Sequence, residues 1–149
     1  MWYYFPRSYS PALFWNVLQW KFKHLISGVM TSGPLFTLEV GSLGTGEMYF
    51  YLGDNHLNTT YQQNAQTFVS IPVGRWFHVE AFYNCNAGGA GEIKIWRDST
   101  LLWDVQNVNT RYADGDCAWS VNNYSSGITP NTATTYIDDA AISTQPLPF

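Results

Sequence analysis

His78 and Glu80 stand two residues apart in GRWFHVEAFY (74–83), between Trp76 and Phe82. Strict alternation gives these four residues one face of a strand and leaves Phe77, Val79, Ala81 and Tyr83 for a core. An imidazole and a carboxylate set among rings suit two tasks. One is proton abstraction beside a sugar carboxylate, which needs a base that titrates near the working pH and donors that neutralise the substrate. The other is recognition, in which sugar C–H faces stack on rings and hydroxyls meet planar hydrogen-bonding groups. A structural histidine on a half-covered strand is the plain alternative.

Similar residues recur elsewhere. FWNVLQWK offers Trp15, Gln19 and Lys21; LFTLEV offers Glu39; EMYFYLG offers Tyr49 and Tyr51; GEIKIW offers Lys94 and Trp96. Alternation turns each of these outward. If the strands share a sheet, it carries aromatic plates (Trp15, Tyr49, Tyr51, Trp96) interspersed with polar contacts (Gln19, Lys21, His78, Glu80, Lys94). Such a surface suits polysaccharide; an ordinary solvated sheet face is the alternative. For an elimination, His78 or Tyr124 is a candidate base, with Gln19 and Lys21 beside the substrate carboxylate. Hydrolysis instead needs two carboxylates about 5–9.5 Å apart, and Glu39 and Glu80 are the available pair.

Neither chemistry requires a cofactor. In YIDDAAI, Asp138 and Asp139 project to opposite faces, so one points inward or lies at a sheet edge. A buried carboxylate must be paired or bound to metal, which makes structural Ca²⁺ one expectation and hydrogen bonding to loop backbone the other. His24 and His56 form no zinc spacing. Cys85 and Cys117, 32 residues apart in loop-like sequence, suit either a disulfide in an oxidising compartment or two buried thiols.

The elements that must position these groups read almost entirely as strand. WYYF (2–5) precedes ALFWNVLQWKFKHL, with Phe14, Leu18, Trp20 and Phe22 expected on one face and Trp15, Val17, Gln19, Lys21 and Lys23 on the other. A Ser/Gly loop (27–33), LFTLEV, EMYFYLG, a polar loop (54–66) and QTFVSIP (66–72) come next. GRWFHVEAFY, GEIKIW, LLWDV, AWSVNNY and TYIDDAAI complete the set, with Asp98, Ser99 and Thr100 at a hairpin tip. Eight or nine strands predict an all-β, antiparallel sandwich of the jelly-roll kind in a single domain, 1–149. The 17% aromatic and 12% charged content argues against disorder. A net charge of −4 without a Lys/Arg cluster speaks against nucleic acid, and no apolar run reaches membrane-spanning length.

WYYFP, FWNVLQWK, VGRWFHVEAFY, GEIKIWRDSTLLWD and VNNYSSGI leading to YIDDAAI together resemble concanavalin A-like jelly-roll domains. The resemblance is to the group that includes heparin-lyase-like polysaccharide lyases and related carbohydrate-binding sandwiches. It implies glycan recognition on the concave sheet. In a lyase it implies Gln19 as carboxylate neutraliser and Tyr124, near the Gly127 turn, as proton donor or acceptor. Such lyases carry strands ahead of the segment matching WYYFP. Here, then, either WYYF completes the sheet or a neighbouring copy supplies a strand to an exposed edge, giving a homo-oligomer. The expected function is extracellular polysaccharide recognition by a secreted protein. A lyase acting on a uronate-containing glycan by β-elimination, and a structural subunit of an assembly, are the alternatives.

Overall fold

The computed structural model describes residues 1–147. Ten strands follow in chain order: β1 (Trp2–Tyr4), β2 (Ser10–Ile26), β3 (Val29–Ser42), β4 (Met48–Asp54), β5 (Thr59–Tyr61), β6 (Trp76–Asn84), β7 (Gly91–Arg97), β8 (Thr100–Val108), β9 (Asp116–Thr129) and β10 (Tyr136–Asp138). They form two five-stranded antiparallel sheets, ordered β10-β1-β6-β7-β8 and β5-β4-β3-β2-β9. The all-β sandwich expected from the sequence is the observed architecture.

Alternation builds the core between the sheets. Phe36, Leu38 and Val40 of β3, Met48, Phe50 and Leu52 of β4, Phe77 and Val79 of β6, and Ile93 and Ile95 of β7 are all buried. A buried polar tie joins the layers, as the Tyr3 hydroxyl donates to the Val17 carbonyl at 2.9 Å. Cys85 and Cys117 are disulfide-bonded, which links the loop after β6 in one sheet to β9 in the other.

β1 lies between β10 and β6, with Trp2 opposite His78 on one side and Asp138 on the other. WYYF therefore supplies an interior strand of its own sheet, over Trp2–Tyr4.

Several local expectations need correction. Against β3, the two steps from Asn16 to Leu18 match the single step from Glu39 to Leu38, so Val17 is the extra residue of a β-bulge; the register with β9 also shifts here, with the longer stretch on β9. One added residue inverts the phase of everything beyond it. Trp15 thus shares the core side with Leu18 and Trp20, while Phe14 turns outward with Asn16, Gln19 and Lys21. The expected Ser/Gly loop is mostly strand, because Ser27 and Gly28, both at positive φ, turn the β2–β3 hairpin in two residues. QTFVSIP contributes only one bridge, Ser70 to Tyr49. The polar loop contains the short β5, and TYIDDAAI pairs only over Tyr136–Asp138.

Candidate functional site

The outer surface of the β5-β4-β3-β2-β9 sheet brings polar and aromatic groups into register. One row crosses four strands as Tyr124 on β9, Asn16 on β2, Glu39 on β3 and Tyr51 on β4, each directly opposite the next. The adjacent row reads Ser120, Gln19, Thr37 and Gly53. Beyond it, Lys21 stands opposite Ala118. At about 4.8 Å per strand, each row spans about 14 Å, enough for two or three sugar units.

Two hydrogen-bonded groups occupy this face. Gln19 Nε2 donates to Ser120 Oγ at 3.0 Å and Ser120 Oγ donates to Asn122 Oδ1 at 2.9 Å. Asn122 Nδ2 in turn donates to Asn16 Oδ1 at 2.5 Å. The Val17 bulge is the local cause, since it puts Asn16 and Gln19, three apart, on one side of β2. Among the described residues, Lys21 forms no ion pair, which leaves an uncompensated cation beside these amides.

In the second group, Glu39 accepts from the Thr37 hydroxyl at 2.7 Å and from the Tyr51 hydroxyl at 2.6 Å. Burial, and then the bond to Glu39, pushes the Tyr51 phenol well above its usual range, so Tyr51 remains a donor. Gly41 makes room for the neighbouring ring: a Cβ there would meet Tyr49 Cζ at 2.6 Å. Tyr49 packs near Tyr51 and Phe68, with centroids 6.3 and 5.7 Å away. At the other end of the face, Phe14 and Tyr124 lie 5.1 Å apart.

Of the residues singled out in the sequence, Gln19, Lys21, Glu39, Tyr49, Tyr51 and Tyr124 converge here. Trp15 does not. It is fully buried, edge-on to Phe5 and Tyr9, with its indole N–H donating to Asn123 Oδ1 at 2.8 Å, so it cannot stack on a ligand. His78, Glu80, Lys94 and Trp96 do face outward, but on the opposite sheet, and the single shared surface expected of them fails. His78 is 8% exposed, with the Trp2 ring 5.1 Å from its imidazole, and burial lowers its pKa. Lys94 is paired with Glu92 at 2.7 Å and Asp104 at 3.7 Å.

Asn16, Ser120, Asn122 and Phe14 were not foreseen. The amide-rich NVLQ and SVNN stretches were the available signal, but strict alternation puts Phe14, and with it Asn16, on the side of Leu18, while Gln19 reads outward as observed. Asp138 and Asp139 are both exposed on or beside the edge strand β10, and the Asp139 N–H donates to Asp138 Oδ1 at 2.9 Å. Among the described residues, no group of three or more His, Cys, Asp or Glu side chains could hold a metal ion. None of them forms a helix long and apolar enough to cross a membrane.

Comparison with known proteins gives one match: the family described as "Polysaccharide lyase" matches residues 1–141. No curated protein and no solved structure matches the chain.

Proposed function

Because the chain belongs to the polysaccharide lyase family, we propose that it cleaves a uronate-containing polysaccharide by β-elimination on the outer face of the β5-β4-β3-β2-β9 sheet. The observation that carries this reading is the position of Tyr124, opposite Asn16 and next to the Gln19–Ser120–Asn122 network. With His78 on the other sheet, Tyr124 is the proton-transfer group left beside the amides.

Elimination first needs the uronate carboxylate neutralised, so that charge developing at C5 can spread into it. Lys21 supplies the opposite charge, and the amides of Gln19 and Asn16 supply hydrogen bonds. Tyr124, 64% exposed, acts as phenolate after losing its proton to solvent. It takes the C5 proton, the C4–O4 bond breaks as the C4=C5 bond forms, and the resulting phenol returns that proton to O4. One group serving as base and then acid keeps the proton count balanced. Tyr49 and Tyr51 stack on sugars further along the face, and Glu39 holds Tyr51 in place.

Incubation with a panel of polyuronates, followed by the ultraviolet absorbance of the unsaturated product, tests the reading. Saturable product formation supports it, and its absence from every polyuronate overturns it.

A second reading, recognition without cleavage, is supported by Asn16 and Gln19, only 5% and 9% exposed and bonded within one network. Retention in a polyuronate affinity gel without product distinguishes it. We further infer secretion, because a disulfide joining the two sheets suits an oxidising compartment. Assembly through an edge strand would use β8 or β9, the longer edges, and predicts oligomers whose mass rises with concentration.

A further inference from the structure

Away from the outer face, at one end of the sandwich, a cavity of about 110 Å³ is lined by His56, Asn109, Arg111 and Tyr112, with Leu35 and Ala87 as apolar walls. Among the described residues Arg111 has no ion-pair partner, and its Nε is buried with no hydrogen-bond partner. The lining holds one cation, an amide, an imidazole and a phenol, and no carboxylate.

The walls are held firmly. Thr110 is 1% exposed, its N–H donates to the Asn86 carbonyl at 3.0 Å, and its carbonyl accepts from the Tyr83 hydroxyl at 2.6 Å. Tyr112 lies flat against His24, with centroids 3.9 Å apart and planes 4° apart, and Phe22 meets it edge-on at 4.9 Å. His24 is fixed in turn by Asp114, at 3.3 Å from Nδ1 to Oδ1. The Tyr112 hydroxyl lies 3.3 Å from His56 Nδ1. Arg111 is thus framed by two immobilised residues where it lines the cavity, and among the described residues its head group has no ion-pair partner. Such a site is preorganised.

We propose that this cavity binds the carboxylate of a sugar acid, with Arg111 as counter-charge, Asn109 and the Tyr112 hydroxyl as hydrogen-bonding partners, and Leu35 and Ala87 against the ring. A planar guanidinium pairs with a carboxylate through two parallel hydrogen bonds. One cation matches one negative charge, and the volume suits the acid end of a single sugar, not an internal polymer segment. The carboxylate can come from a free sugar acid or from the end of a uronate chain. This site is separate from the proposed cleavage surface, and the choice of a sugar acid as its ligand rests on the polyuronate reading above.

Amide chemical shifts of the full chain are followed by NMR during titration with glucuronate, glucose, inorganic sulfate and a uronate trisaccharide. Saturable shifts at His56 and residues 109–113 with glucuronate, absent with glucose, are expected. Arg111→Gln should weaken that binding by about tenfold or more, and Asn109→Ala by less. Binding of the trisaccharide at least as tight as that of glucuronate identifies a chain end as the ligand; weaker binding identifies the free acid. No saturable shift in this region, tighter binding of sulfate than of glucuronate, or unchanged affinity in a folded Arg111→Gln protein would overturn the proposal. Should Arg111→Gln fail to fold, the wild-type shift pattern and the Asn109→Ala affinity decide it. Shifts confined to Gln19 and Tyr124 would place all carboxylate binding on the outer face and also overturn it.

Discussion

Asn16 on β2 stands directly opposite Tyr124 on β9, and Asn122, two residues before Tyr124, donates to the Asn16 side chain at 2.5 Å. This relationship sets a phenol at the border of an amide cluster that reaches Gln19. The hydroxyl proposed for proton transfer and the amides proposed to hold a carboxylate are thereby placed by strand register, not by loops.

Tyr124→Phe is expected to lower lyase turnover by about 10²–10⁴-fold, the usual worth of a proton-transfer group. Because the side chain is exposed, unfolding stability should change by no more than about 0.5 kcal/mol. Parallel turnover and denaturant titrations check both halves.

Lys21→Met is expected to weaken handling of a polyuronate, mainly as a raised KM, while leaving fold and spectrum intact. Raising the salt concentration should narrow the gap between variant and wild type, because an exposed charge is screened. Steady-state kinetics at two ionic strengths would show it.

Trp15→Ala is expected to cost about 3–5 kcal/mol, the penalty for emptying a large aromatic site in a core. The surviving folded fraction should bind glycan as wild type does. Affinity electrophoresis at low temperature, paired with urea unfolding, separates this outcome from the stacking role that the unshifted strand pattern implied.

Reduction of Cys85–Cys117 opens a link across 32 residues, which the chain-entropy account values at about 3–4 kcal/mol. For a domain of this size that predicts a fall in Tm of about 10 °C. Calorimetry with and without reductant gives the shift.

His78 gives folding stability a pH dependence of definite sign. Burial lowers its folded pKa, assisted by the amino terminus and opposed by Glu80 and Asp98. Above about 6.5, the ordinary imidazole value, folded and unfolded chains are both neutral and nothing is lost. Below it the unfolded chain takes up a proton that the folded chain declines, so stability falls until the folded pKa is reached. His78→Gln should flatten that limb in denaturant midpoints measured between pH 4.5 and 7.5.

Most of the fold was legible because period two is a strong signal wherever one face meets the core. The run from Phe77 to Tyr83, the residues Phe36, Leu38 and Val40 of LFTLEV and the pair Ile93 and Ile95 all pack as their alternation implies. The site was less legible for two physical reasons. A single extra residue, Val17, exchanges the faces of β2, and no local feature of FWNVLQWK announces it. Nor does alternation tell which of two sheets an outward face belongs to. Glu80 and Lys94 read as outward with the same clarity as Tyr51, yet they lie on the opposite surface of the sandwich. The amide network depends on β2–β9 pairing between residues about a hundred positions apart, information that no short window contains.

The central claim is that chemistry occurs on the β9-β2-β3-β4 surface around Tyr124. Rates of unsaturated-product formation by wild type, Tyr124→Phe and His78→Gln on one polyuronate test it most directly. Near-complete loss in Tyr124→Phe with a near wild-type rate in His78→Gln is the predicted result. Full activity in folded Tyr124→Phe, with loss in folded His78→Gln, would contradict it and move the active surface to the other sheet.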